Sequence, residues 1–193
     1  MTADELRAAL NGYMKRDDPA TVNNEPTALE LARQEIAKSF FPMEAETVVN
    51  PPLVVVNGIA PLPADFGSAV AVGRDMTYIP PRTWQRIILE APENLGGCYS
   101  LFGKCLHVLP ALNALAFVYN ALPLPITGAQ TNWLSVSYAG IWLHAARAEQ
   151  YRFIEDNDSQ ATAETLWRGM VDDLTAKDAR LRQSGGSLRM KSR

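Results

Sequence analysis

The feature that most constrains the fold is an abrupt change of texture along the chain. Between Met43 and Ile126 lie ten of the thirteen prolines and most of the β-branched clusters, while the flanks on both sides repeat apolar residues at helical spacing. Proline removes a backbone donor and breaks helix interiors, so the middle is predicted to be strands and turns and the flanks helices. Helices, then strands, then helices argue an α+β fold: a helical bundle of two N-terminal and two C-terminal helices with a β-rich insertion over 43–126. No internal repeat is visible.

The helical segments carry their own punctuation. Thr2 and Glu5 form a capping-box pattern, and Leu6, Leu10 and Met14 fall on one face, predicting a helix over 3–16. Asp17-Asp18-Pro19 stops it. Pro26 is placed as a first helical residue, and Leu29, Ala32, Ile36 and Phe40 continue the stripe, predicting a second helix over 27–41 before Pro42. Leu134, Tyr138, Ile141, Ala145 and Ala148 share a face that Trp133, Trp142 and Leu143 widen, predicting a central helix over 132–155. Asp156-Asn157-Asp158-Ser159 caps a last helix over 159–183, carrying Leu166, Trp167, Met170, Leu174 and Leu181, with Gly185-Gly186 ending it.

Within the insertion, Val48-Val49 and Leu53-Val54-Val55-Val56 read as strands, and Asn57-Gly58 before Ile59 signals a type I′ hairpin. Pro81 to Leu89 reads as one short helix. Tyr99–Phe102 and Cys105–Leu109 flank Gly103-Lys104 as a second hairpin, and Leu115–Tyr119 is a further strand. The run from Leu53 to Pro63 is unusually apolar for a solvent-facing segment, which implies a contact.

Size and charge narrow the class. The 193 residues suit one adequately cored domain over 1–183, burying roughly 70% of the unfolded chain's surface. The last fifteen residues hold Arg180, Arg182, Arg189, Lys191 and Arg193 and no acid, so the overall net charge of −3 leaves −8 on the preceding 178. A sequence-wide basic footprint for nucleic acid is absent. The apolar stretch Leu109–Ile126 is interrupted by Pro110, Asn113, Asn120, Pro123 and Pro125, so no membrane segment is expected. Two cysteines make no disulfide framework and fit synthesis in a reducing cytoplasm, and the N-terminus lacks the pattern of a signal peptide.

A search for chemistry yields little. With Gly103-Lys104 as the turn, Phe102 faces Cys105, Ser100 faces His107 and Cys98 faces Leu109. Cys98, Cys105 and His107 then share a sheet face, yet the two cysteines stand about 13 Å apart at ~3.3 Å of rise per residue. That separation suits neither a disulfide nor a shared metal. His144, between Leu143 and Ala145, reads as a hydrogen-bonded bundle histidine rather than a catalytic base. Gly96-Gly97 opens no helix and is followed by no Lys-Ser or Lys-Thr, so no P-loop is present. Asp75, Glu90 and Glu93 are the candidate carboxylates for a small cell-wall glycan hydrolase, against a plain reading as solvated loop residues. No catalytic residue, metal or cofactor is assigned.

Resemblance adds a direction. The segment from Thr131-Asn132-Trp133-Leu134 through Tyr138 and Ile141-Trp142-Leu143-His144-Ala145-Ala146 to Trp167 resembles the adaptor proteins of tailed bacteriophages, the head-to-tail connectors. Leu62-Pro63-Ala64-Asp65-Phe66, Tyr99-Ser100-Leu101-Phe102-Gly103, Leu106-His107-Val108-Leu109-Pro110 and Phe117-Val118-Tyr119 follow the order of that family. The resemblance implies a virion structural protein at the neck, forming a dodecameric ring beneath the portal protein and around a DNA channel. A downstream tail or nozzle protein is its other partner, and genomic DNA passes through without specific binding. It also implies that the C-terminal segment, 184–193, reaches the portal. Arg180, Arg182, Leu188, Arg189, Met190, Lys191 and Arg193 are the expected docking residues. The rival readings are the glycan hydrolase and another neck or tail-completion protein.

Overall fold

In a computed structural model, the structure describes residues 1–16, 18–74, 77–78, 81–82, 97–109 and 114–185. These form an α+β fold of five α-helices and antiparallel sheets. The chain divides into two compact units: Met1–Ala45 together with Pro123 onward, and Glu46–Leu122. The helical texture of the sequence coincides with the first and the β-rich texture with the second.

The helical unit contains α1 (Ala3–Met14), α2 (Pro19–Ile36), α3 (Trp133–Ser137), α4 (Ala139–Phe153) and α5 (Asn157–Gly185). The capping box at Thr2 and Glu5 is formed, each side chain accepting the other residue's backbone N–H at 3.2 and 2.9 Å. Leu6, Leu10 and Met14 are buried against Leu29, Ile36, Phe40 and Trp142 in one core. Trp167 and Val171 bring α5 to the same core.

Several helix boundaries differ from the sequence expectation, the first helix among them, which ends at Met14 rather than 16 as Lys15 takes left-handed backbone. The second helix begins at Pro19 rather than 27, because Asp18 accepts from both the backbone N–H and the hydroxyl of Thr21 at 2.9 Å and Pro19 takes the first turn. Pro26 lies inside α2, where the buried stripe Thr21, Glu25, Ala28, Leu29, Ala32 outweighs one missing hydrogen bond. The helix closes at Ile36, not 41, as Lys38 and Ser39 bond to carbonyls three residues back and tuck Phe40 into the core. The helix expected over 132–155 is two helices, broken at Tyr138 (φ −133°, ψ 32°). The phenol of Tyr138 is committed to Glu44 at 2.6 Å and its ring meets Phe40 edge-on at 5.1 Å. The last helix starts two residues earlier than expected, with the Asp156 carboxylate accepting the Ser159 N–H.

The sheet unit is built around β8 (Ala114–Ala121). One edge of β8 pairs antiparallel with β1 (Glu46–Val48) and then β2 (Leu53–Val54), and the other with β4 (Phe66–Arg74), whose end pairs β5 (Thr77–Tyr78). A second sheet runs β3 (Ile59–Pro61), β7 (Cys105–Leu109), β6 (Cys98–Phe102). Both expected hairpin turns are present with left-handed backbone at both central residues: Asn57 (φ 52°) and Gly58 (φ 79°), then Gly103 (φ 58°) and Lys104 (φ 60°). The β6–β7 register is the expected one, Phe102 with Cys105, Ser100 with His107, Cys98 with Leu109. Phe117, Leu106, Leu115, Val72 and Tyr119 form the core of this unit. The helix expected from Pro81 to Leu89 falls largely outside the described residues.

Candidate functional site

Groups capable of chemistry are dispersed. On β6 and β7, Cys98 pairs opposite Leu109 and Cys105 opposite Phe102, and no disulfide joins them. Among the described residues, no three His, Cys, Asp or Glu side chains come together to hold a metal ion. Asp75, Glu90 and Glu93 lie outside the described residues. His144 on α4 accepts a hydrogen bond at Nδ1 from the Arg147 guanidinium, 3.3 Å away. Burial, aided by the charge of Arg147, pushes its pKa down, so the imidazole stays neutral. The bundle histidine of the sequence reading therefore has a partner, one turn along its own helix.

Two polar features inside the helical unit escaped the sequence reading. Gln150 bridges α4 to α2: its Nε2 donates to the Thr21 carbonyl at 3.0 Å and its Oε1 accepts from Asn24 at 2.8 Å. Glu25, on the same buried stripe, is 4% exposed, and burial pushes its carboxyl pKa up against the opposing charge of Arg7. Polar letters at stripe positions were the available signal.

The outward surfaces are more informative. In the sheet unit, the apolar run from Leu53 alternates: Val55 and Ala60 are buried, whereas Val54, Val56 and Ile59 face outward. The tip of the β6–β7 hairpin adds Leu101 and Phe102, the latter 55% exposed. Leu62, Pro63 and Phe66 join them around an open groove of about 540 Å³. Buried Tyr119 anchors this region from within, donating to Asp65 at 2.8 Å, and its pKa is pushed up to about 12 by burial and that carboxylate.

In the helical unit, a groove of about 600 Å³ runs along the C-terminal part of α5, between Leu174, Lys177 and Leu181 on one side and Met43, Glu44 and Tyr138 on the other. Its two acids are held in place. Glu44 takes the Tyr138 hydroxyl and Asp178 takes the Met43 N–H at 3.0 Å. Burial and the Glu44 carboxylate drive the Tyr138 pKa upward, which keeps this phenol a donor. Beyond the groove, Arg180 and Arg182 stand exposed near the end of α5. Leu188, Arg189, Met190, Lys191 and Arg193 lie outside the described residues.

Among the described residues, the outward features are apolar faces and a basic helix end on a mixed α+β protein, a class of surface suited to contact with other proteins. The comparison with protein families makes this specific. A family model described as SU10 adaptor protein matches residues 1–191, and the chain belongs to that family of phage head-to-tail adaptors. It is a structural adaptor of the virion neck, acting through other neck components. No curated protein matches the chain. Among the described residues, no helix is long and apolar enough to cross a membrane.

Proposed function

We propose that this adaptor assembles as a dodecameric ring beneath the portal, the two units acting as one adaptor body over residues 1–183, and that the ring encloses part of the DNA channel. The supporting observation is the charge division along the chain. The basic end begins at Arg180 and Arg182, exposed on α5, and continues into a segment where Leu188 and Met190 alternate with Arg189 and Lys191. Such a peptide suits a partner that offers an apolar groove and acids. The portal is that partner, with Arg193 completing the cationic end, and a tail or nozzle protein binds on the opposite side. The body, at −8, suits a channel through which DNA must slide, since rows of Lys and Arg would hold phosphates.

Removing 184–193 tests this. The cut lies beyond Val171 and Leu174, the last positions of α5 packed on the core, so the helical unit stays folded. Binding to portal-bearing heads should fall sharply. Undiminished binding would refute the docking role, and a loss of DNA retardation alone would assign the segment to DNA.

A further inference from the structure

Three arginines of the helical unit are neutralised along their own helix, and Arg147 is not. Arg33, Arg152 and Arg168 each pair with a glutamate one turn earlier on the same helix: Glu30, Glu149 and Glu164. Arg147 has Leu143 and His144 at those positions, and among the described residues no carboxylate lies within ion-pair distance of it. What surrounds it instead is aromatic. Its guanidinium carbon sits 5.1 Å from the ring centroid of Tyr13 on α1 and 5.7 Å from that of Tyr151, one turn further along α4. Tyr13 also lies 6.1 Å from the His144 ring.

The hydrogen bonds of this group are incomplete. Nη1 reaches His144 at 3.3 Å and Nη2 reaches the Tyr151 hydroxyl at 3.4 Å, both long for a cation. Nε is buried and has no acceptor. Each terminal nitrogen carries a second N–H that these contacts leave unused. The neutral imidazole and the two π-faces orient the guanidinium without cancelling its charge. Tyr13, half exposed, leaves the cluster open to solvent. An arginine set beside two aromatic rings, half-buried and lacking an acid partner, is preorganised for one planar anion.

We propose that Arg147, framed by Tyr13, His144 and Tyr151, is a receptor for a carboxylate side chain of a second copy of this chain. This deepens the ring reading and rests on it: a closed ring needs heterologous contacts, in which one patch of each copy meets a different patch of the next. The body supplies the acids, at net −8, including Asp172 and Asp173, exposed on α5. A phosphate backbone fits less well, because nucleic-acid grip comes from several cations in a row and Arg147 is flanked along its helix face by a neutral histidine and a tyrosine.

The test uses full-length protein and portal-bearing heads. Arg147→Gln should bind at least about tenfold more weakly than wild type, with loss of cooperativity, while its thermal midpoint stays close to wild type. Arg147→Lys keeps the charge and supplies an amine. Carbodiimide treatment of its assembled rings, built from mixed isotope-labelled and unlabelled copies, should yield an amide joining position 147 to an acid of a different copy. A link within one copy, a link to the portal, or no link in assembled rings would overturn the proposal, and the lysine variant decides even if Arg147→Gln fails to fold. Arg147→Gln that binds cooperatively like wild type would overturn it and leave the adaptor reading intact. Loss of duplex DNA retardation with unchanged head binding would move the site to nucleic acid. Wild-type protein that binds no heads would overturn both readings together.

Discussion

The indole N–H of Trp142 donates to the backbone carbonyl of Leu29 at 2.8 Å, tying α4 to α2 in the interior of the helical unit. The tryptophan is buried among Leu6, Leu29 and Ile36, so its side chain supplies both apolar area and one buried hydrogen bond. Trp142→Ala should cost about 3–5 kcal/mol, as buried aromatic truncations do. Trp142→Phe should cost about 1–3 kcal/mol, since it keeps a ring but loses the hydrogen bond. Denaturant unfolding of the isolated variants measures both, and a wild-type midpoint for the alanine variant would contradict the packing.

Glu25 sets a pH dependence. Burial raises its pKa in the folded state above the ordinary value of 4.5, so the unfolded state ionises first. Its protonated form therefore favours folding below about pH 4.5, and that contribution is lost as pH rises through the folded value. Glu25→Gln should raise the thermal midpoint at pH 7, and the gain should vanish below pH 4.5. Melting curves across that range check the sign: an unchanged or lowered midpoint at pH 7 would show that Glu25 is held as a favourable ion.

Gly103 occupies left-handed backbone at the β6–β7 turn, and a Cβ there would meet no atom within 4 Å. The cost of a side chain is thus conformational alone. Gly103→Val should destabilise the sheet unit by about 1–2 kcal/mol, while Gly103→Asn, better suited to that region, should cost less. Urea titrations of the two variants separate them.

The isolated protein should sediment as a monomer or a weak associate at micromolar concentration and form rings only on a portal. No long heptad seam is present for self-association, and Arg147 offers one charged contact rather than a broad apolar one. Analytical ultracentrifugation decides; a stable dodecamer in the absence of portal would refute the expectation.

Legibility followed range. The β6–β7 register could be read from Gly103-Lys104 alone because a two-residue I′ turn leaves one way to pair the flanking strands. The burial of Leu134, Ile141 and Trp142 followed from helical spacing. Pro26 misled because a local rule was set against a buried stripe reaching back to Thr21, which the sequence reading began too late to count. The pairing of β8 with both β1 and β4 carries no local signal. The Arg147 cluster was hidden because Tyr13 and Tyr151 come from opposite ends of the chain, and the groove beside Asp178 because Met43 lies so far from it in sequence.

One pairing in the sheet unit bears on how such a protein can vary. Glu46, the first residue of the β-rich segment, is the register partner of Asn120, two residues from its end. The whole excursion between α2 and α3 thus leaves and returns at neighbouring points, about 5 Å apart across an antiparallel pair. From the helices, seventy-odd residues span no more distance than a tight turn does. Loop-closure entropy grows only slowly with length, so this segment can be lengthened, shortened or exchanged for another at little cost to the helices. The helical unit asks of this segment only that its two ends meet at that spacing.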